Sequence, residues 1–303
     1  MKVLKFGGTS VGSAQRMKDV AKLIVGEKNL IVLSAMSGTT NSLVEISDYL
    51  YKKNPDGANE IINKLSQKYF GHIDELYATE EYKEKARELV TFHFDHIRSF
   101  TKDLFTLFEE KVVLAQGELI STGMMNLYLQ EQGVNSVLLP ALDFMRTDKN
   151  AEPDPVYIKE KLNRLLEENA GADLYITQGY ICRNAYGEID NLQRGGSDYT
   201  ASLIGAAIKA EEIQIWTDID GMHNNDPRFV KGTSPVRHLH FEEAAELAYF
   251  GAKILHPTCI LPAKINNIPV RLLNTMQPDA PGTLISNATE KGKIKAVAAK
   301  DNI

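Results

Sequence analysis

Val3-Leu-Lys-Phe-Gly-Gly-Thr-Ser10 and, one amphipathic stretch later, Asn29-Leu-Ile-Val-Leu-Ser34 decide the fold. The first is a short apolar strand closed by a glycine pair. The second is a continuous apolar run bounded by polar residues, which suits a strand buried on both faces of a parallel sheet. Between them Met17, Val20, Ala21 and Ile24 recur at helical spacing, so a helix is expected from about Ser13. Residues 41–52 read as another helix. Strand, helix, strand, helix in this order specifies an α/β fold with a parallel sheet.

Further along, the pattern from about residue 57 to 132 is helix only. Ile61, Ile62, Leu65, Tyr69, Ile73 and Leu76 keep helical spacing, and Leu104, Phe105 and Phe108 are read as continuing it. This stretch is expected to be a helical insertion attached to the sheet. Strands return at Ser136-Val-Leu-Leu139 and Leu174-Tyr-Ile-Thr177, with a hairpin around Arg183–Glu188. The second half repeats the α/β theme: a helix over Tyr199–Lys209, a strand at Ile213–Trp216, helices over 241–250 and 257–266, and a strand at Pro269–Leu272. Ile294–Ala298 reads as a strand with no partner behind it, which suggests a further C-terminal module.

Composition sets the class. The chain has 303 residues, 43% of them hydrophobic, and a formal net charge of −6. A core of that size needs no disulfide or metal staple. Its two cysteines, Cys182 and Cys259, sit in apolar surroundings and form no CxxC pair, which suits a reducing compartment and argues against a thiolate metal site. The opening residues have no signal-peptide character, and nowhere do about 18 apolar residues run together. A cytoplasmic location is expected, with no membrane partner. The acidic balance also argues against nucleic acid, which demands a concentrated basic face.

Lys5 ends the first strand, and Gly7-Gly8 make the turn after it. Glycine lets a backbone approach an anion closely, Thr9 and Ser10 add hydroxyls, and the lysine supplies a full positive charge for a phosphoryl group. Two better-known loops fail here. Gly7 and Gly12 have the outer spacing of a Walker A loop, but Ser13-Ala14 follows instead of Lys-Ser/Thr. The order GGTSVG is not the dinucleotide turn GxGxxG, and the second strand ends without an acidic residue, which excludes a dehydrogenase reading. On its own, Gly7-Gly8 reads equally as a tight β–α turn beside a solvated lysine.

Five separated segments decide between these readings. Lys5–Ser10, Gln116-Gly-Glu-Leu119, Arg194-Gly-Gly-Ser-Asp-Tyr-Thr-Ala201, Trp216-Thr-Asp218 and Phe250-Gly-Ala-Lys-Ile-Leu-His-Pro257 together resemble aspartate kinases of the amino acid kinase superfamily. They stand in the family's order over nearly the whole chain. The resemblance implies a three-layer αβα sandwich around a mainly parallel sheet. It implies an N-terminal lobe, residues 1–190, for aspartate and phosphoryl transfer, and a nucleotide-binding lobe, 191–303. The implied reaction is ATP-dependent phosphorylation of the L-aspartate side chain to 4-phospho-L-aspartate, with Mg2+ carried by ATP rather than by a dedicated protein site. That reaction opens lysine, threonine and methionine biosynthesis. Family members carry regulatory ACT domains, some with a fused homoserine dehydrogenase, and the chain is expected to lack both. A homodimer is left open.

Residue roles follow from the same resemblance. Lys5 sits over the phosphoryl group in flight, and Asp198 orients it. By position Asp198 also reads as the N-cap of the helix from Tyr199. Arg194, held by Gly195-Gly196, matches the arginine that grips the substrate α-carboxylate, and Ser197 adjoins it. Glu118, read as lying near a helix N-terminus, matches the ligand of the α-ammonium; a plain dipole-stabilising role competes. Thr40 matches a threonine that touches the amino acid. Gly7, Gly8, Thr9, Ser10, Thr217, Asp218, Asp226, Arg228 and Lys253 are implied to face nucleotide or phosphate. His223 stands where many members have tyrosine beside the nucleotide, and histidine as a residue type titrates near neutral pH. His93 and His96, at i, i+3, are read as helix surface rather than a metal pair. His238, His240 and the Glu242, Glu243, Glu246 cluster are also read as surface. The rivals are another carboxylate kinase, for glutamate or acetylglutamate, and a non-catalytic sensor of amino acid and nucleotide.

Overall fold

The computed structural model describes residues 1–192, 195–225, 230–249, 255–289 and 294–297. Its first part runs β1 (Val3–Phe6), α1 (Ala14–Ile24), β2 (Leu30–Leu33) and α2 (Thr39–Tyr51). Three long helices follow: α3 (Pro55–Leu76), α4 (Glu80–Ser99) and α5 (Leu107–Glu131). Next come β3 (Ser136–Leu138), α6 (Ala141–Phe144), α7 (Pro155–Glu168), β4 (Leu174–Gln178) and the hairpin β5 (Ile181–Arg183) with β6 (Ile189–Asn191). The remainder is α8 (Gly196–Ile208), β7 (Ile213–Thr217), β8 (His238–His240), α9 (Phe241–Tyr249), α10 (Leu261–Ile265), β9 (Val270–Asn274) and β10 (Thr283–Ser286).

Among the described residues one eight-stranded sheet runs β3-β4-β2-β1-β7-β9-β10-β8. Its first six strands are parallel; β10 turns antiparallel to β9 and takes β8 alongside it. Period-2 alternation sorts the strand residues between two cores. Leu4, Phe6, Ile31 and Leu33 face α1 to α5, whereas Val3, Leu30 and Val32 face α7, α8 and α10. Both faces are covered, which is why β1 and β2 read as unbroken apolar runs. Each fully buried Leu, Ile or Phe contributes about 1.5–3 kcal/mol.

Local signals set the helix ends. Ser13 caps α1 by accepting the Arg16 N–H, as expected from the sequence. Thr106 and Glu109 form a capping box that starts α5 at Leu107. That cap explains two departures. Leu104 lies in the connection before it, 75% exposed, and Phe108 is 54% exposed, so neither continues the buried stripe. Glu118 falls in the middle of α5, far from any N-terminus, and the dipole-cap reading fails. Asp198 is also not an N-cap: α8 begins at Gly196 behind Gly195, which places Asp198 in its first turn.

Other expectations shift as well. His93 is buried on α4, its Nδ1 2.7 Å from Gln116 Oε1, while His96 is exposed. The Phe92-His-Phe94 stripe hid this inward rotation. Residues 257–266 split into a 3-10 turn at Pro257–Ile260 and the short α10. Residues 294–297 form no strand; the Val297 N–H bonds the Asn224 carbonyl instead, at 2.9 Å. Among the described residues no helix is long and apolar enough to cross a membrane.

Candidate active site

Parallel pairing brings the carboxyl ends of β1, β2, β4, β7 and β9 to one edge of the sheet, at Phe6, Leu33, Gln178, Thr217 and Asn274. The chain leaves β1 for β2 on one side, while β7 adds on the other. That reversal opens a crevice of the kind where α/β sheets hold ligands.

Lys5 lies on the α8 face of β1 because it alternates with Leu4 and Phe6. It is 8% exposed, and its Nζ is 2.7 Å from Asp198 Oδ1. The contact is an ion pair rather than an aligned hydrogen bond. A Cβ on Gly7 would lie only 3.5 Å from the same Nζ, so the ammonium stands over the bare backbone of the turn. On Gly8 a Cβ would sit 2.7 Å from the Ala35 carbonyl oxygen; glycine lets the loops after β1 and β2 touch. The Ser37 N–H closes that contact by donating to Gly8 O at 3.1 Å. Thr9 is half-buried, and Ser10 is wholly buried with its hydroxyl 2.6 Å from Thr275 Oγ1. Ser10 therefore staples the turn to the loop after β9 rather than offering a donor to the crevice.

On the other side stands Glu118. The residue is 5% exposed, and its carboxyl accepts the Ala35 N–H at 3.2 Å. Burial pushes its pKa up from 4.5 to about 7, against the lowering effect of that N–H. Ser34 donates to Ser197 Oγ at 2.9 Å, and Ser121 donates to the Ser34 carbonyl at 2.8 Å. These bonds tie the loop after β2 to the starts of α8 and the middle of α5. Thr39 turns inward, 2.8 Å from the Tyr69 hydroxyl, while Thr40 is exposed beside it.

Gly195 (φ +72°) and Gly196 (φ +46°) start α8 in left-handed conformations. A Cβ on Gly195 would fall 1.7 Å from Cys259 Sγ. We expect Gly195→Ala to cost about 3 kcal/mol through strain and overpacking, lowering the melting temperature. Adding Cys259→Gly should recover the steric part. Unchanged melting of Gly195→Ala would remove the constraint.

Beyond β7, Thr217 Oγ1 donates to the Ile219 carbonyl and accepts the Ile219 N–H, shaping the turn that exposes Asp218. His223 is half-buried, its Nδ1 2.9 Å from Thr233 Oγ1. Arg194, Asp226, Arg228 and Lys253 lie outside the described residues. Burial raises both thiols, Cys182 and Cys259, to about 12, so neither supplies a thiolate nucleophile at neutral pH. What remains is a desolvated ammonium held by a carboxylate over a glycine turn. It suits neutralisation of a moving anion.

Comparison with known proteins agrees with that chemistry. The profile of the Amino acid kinase family matches residues 1–274. The chain belongs to the amino acid kinase family. Within that family it is similar to aspartokinases. It is 35% identical to Aspartokinase 3, chloroplastic, of Arabidopsis thaliana over 320 residues, covering 99% of this chain and 56% of that protein. It is 34% identical to Lysine-sensitive aspartokinase 3 of Escherichia coli (strain K12) over 309 residues, covering 99% of this chain and 67% of that protein. The crystal structure of E. coli aspartokinase III in complex with aspartate and ADP superposes with a TM-score of 0.86 at 34% identity, over 96% of this chain and 65% of that one. The chain thus spans little more than half the length of the Arabidopsis relative.

Two features of this candidate site escaped the sequence reading. Tyr180 follows Gly179 at the end of β4 with φ +69° and donates its N–H to Thr200 Oγ1 at 2.9 Å, and a Cβ on Gly196 would lie 3.6 Å from Cδ2 of its ring. The rule that strand carboxyl ends carry ligands could have flagged Gln178-Gly-Tyr180. The Ala35 N–H on Glu118 had no side-chain signal at all.

Proposed function

We propose that this chain transfers the γ-phosphoryl group of ATP to the side-chain carboxylate of L-aspartate, giving 4-phospho-L-aspartate and ADP. The observation that carries this reading is the buried Lys5 ammonium, paired with Asp198 above the Gly7 turn at the carboxyl edge of the sheet. Likeness to aspartokinases, one of them solved with aspartate and ADP, supports the substrate pair.

A side-chain oxygen of aspartate attacks the γ-phosphorus, the bond to the β–γ bridging oxygen breaks, and ADP leaves with that oxygen. The nucleophile is already ionised, so no general base is needed. Catalysis is then positioning and charge neutralisation. Lys5 meets the charge on the transferring oxygens, and Asp198 fixes its direction. Glu118 takes the substrate α-ammonium. Arg194 takes the α-carboxylate, and Ser197 and Thr40 add hydroxyls. The strands from β3 to β1 serve the amino acid, and those from β7 onward serve the nucleotide, with Thr217, Asp218 and His223 lining its approach. Mg2+ accompanies ATP. The exposed Asp218 carboxylate and the hydroxyl of Thr217 are oxygen donors of the kind a hard cation accepts, and the phosphates supply the rest. The product feeds lysine, threonine and methionine synthesis.

The test is ADP release from Mg-ATP with L-aspartate, L-glutamate, N-acetylglutamate or no acceptor. Release that depends on aspartate supports the proposal. Release only with glutamate or acetylglutamate would move the chain to a sister activity. ATP binding without release under any acceptor would favour a sensor.

A further inference from the structure

The turn after β1 and the loop after β9 belong to strands that do not pair; β7 runs between them. They nevertheless meet in one buried side-chain contact. Ser10 Oγ stands 2.6 Å from Thr275 Oγ1, joining residues 265 positions apart. Ser10 is wholly buried and Thr275 nearly so. A hydroxyl taken out of water is costly unless it is paired, and here each hydroxyl pairs the other.

Both ends of this contact are anchored to the crevice. The Ser10 N–H donates to Gly7 O at 2.9 Å, which closes Gly7–Ser10 into a tight turn under the Lys5 ammonium. The start of that turn is tied to β7, where the Gly7 N–H donates to the Trp216 carbonyl at 3.2 Å. Its middle is tied to the loop after β2, through Ser37 N–H and Gly8 O at 3.1 Å. Arg16 of α1 adds a bond from Nη1 to Thr9 O at 2.6 Å. On the far side, the Thr275 N–H donates to the Thr217 carbonyl at 2.8 Å, one residue before the exposed Asp218. Asn274 shapes the same loop by accepting the Met276 N–H on Oδ1 at 2.9 Å and the Gln277 N–H on its carbonyl at 3.1 Å. A continuous path thus runs from the Lys5 turn through Ser10 and Thr275 to the end of β7.

We propose that the Ser10–Thr275 hydroxyl pair is a positioning staple that fixes the end of the phosphoryl turn against the nucleotide side of the crevice. It rests on the phosphoryl-transfer reading above. The two hydroxyls face each other and act through the turn, not on substrate. Without them the turn keeps its ties at Gly7 and Gly8, but its end is released, and a glycine pair resists drift poorly. A misplacement of about 1 Å at reacting atoms costs about 10²-fold in rate. Replacing both partners of a buried hydrogen bond by apolar groups of the same shape is nearly neutral for stability. The double replacement therefore separates positioning from folding.

The experiment compares wild type, Ser10→Ala, Thr275→Val, Thr275→Ser and the double variant Ser10→Ala/Thr275→Val. Its readouts are kcat, KM for aspartate, the dissociation constant for ATP and the melting temperature. The double variant is expected to melt within a few degrees of wild type and to lose at least tenfold in kcat. Its KM for aspartate and its ATP affinity should move less than threefold. Each single loss of a hydroxyl should lower kcat about as much as the double, because the pair works as one unit. Thr275→Ser, which keeps the hydroxyl, should retain most of kcat. A double variant with wild-type kcat would overturn the proposal, whatever its melting temperature, and would mark a purely structural bond. Full kcat in Thr275→Val beside a large loss in Ser10→Ala would overturn it too, because Ser10 would then act on the phosphates directly. Absence of aspartate-dependent ADP release in wild type would instead sink the functional reading, a distinct result.

Discussion

Lys5→Ala is expected to lower kcat about 10³-fold or more while the protein still binds ATP. One preorganised donor to a developing charge is worth about 10²–10³ in kcat, and Lys5 brings a full charge into a poorly hydrated site. Nucleotide contacts from the β7 side remain, so the dissociation constant for ATP should change only a few-fold. The substitution also strands Asp198. Because that carboxylate is 18% exposed and not fully buried, the stability cost should be about 1–3 kcal/mol, below that of a dry ion pair. Calorimetric melting and ATP titration of the variant separate lost folding from lost chemistry. Near-normal kcat in a folded Lys5→Ala protein would remove Lys5 from the mechanism.

Glu118 gives the second large effect. Its pKa of about 7 means that near neutrality much of the free enzyme holds a neutral carboxyl, which cannot pair with an ammonium. The groups facing it are Tyr69 of α3, Tyr180 at the hairpin's base and the Ala35 N–H; both tyrosines feel its charge in turn. We expect kcat/KM for aspartate to rise as pH climbs through about 7, and the same profile for ATP to stay flatter there. Stability should run the other way. Between pH 4.5 and about 7 the folded state binds more protons at this site than the unfolded chain, so stability falls as pH rises through that window. The shift corresponds to on the order of 3 kcal/mol. Glu118→Gln, which keeps an acceptor for Ala35, should therefore raise the melting temperature at pH 8 while weakening aspartate binding at least 100-fold. A variant that melts lower at pH 8, or binds aspartate normally, would contradict this assignment.

The sheet was legible because its central strands are buried on both faces, and such strands advertise themselves as apolar runs. Helix α1 was legible from Ser13 and one apolar stripe. The β5–β6 hairpin showed in its turn residues. The last two strands of the sheet were not: His238–His240 and Thr283–Ser286 are short, and only partners distant in sequence make them strands. The start of α5 was missed because Thr106, not the apolar pattern, decides it, and with it went the true depth of Glu118. The geometry of the candidate site was legible where a motif carries a charge or a bare backbone, as at Lys5, Gly8 and Asp198. It was illegible where backbone or a neighbour's bulk does the work. Ala35, Tyr180 and the thiol beneath Gly195 act through shape, and spacing along the chain carries no record of which loops will meet. Ser10 shows the converse: a hydroxyl in the right motif is already bonded to Thr275.

Trapping the product with hydroxylamine tests the central claim most directly. An acyl phosphate on the aspartate side chain reacts to form aspartyl β-hydroxamate, which a phosphate ester or simple ATP hydrolysis cannot yield. Incubation with Mg-ATP, L-aspartate and hydroxylamine should accumulate this hydroxamate in step with ADP, and Lys5→Ala should abolish both. ADP release without hydroxamate, or hydroxamate formed from glutamate and not aspartate, would contradict the assignment of this site to aspartate phosphorylation.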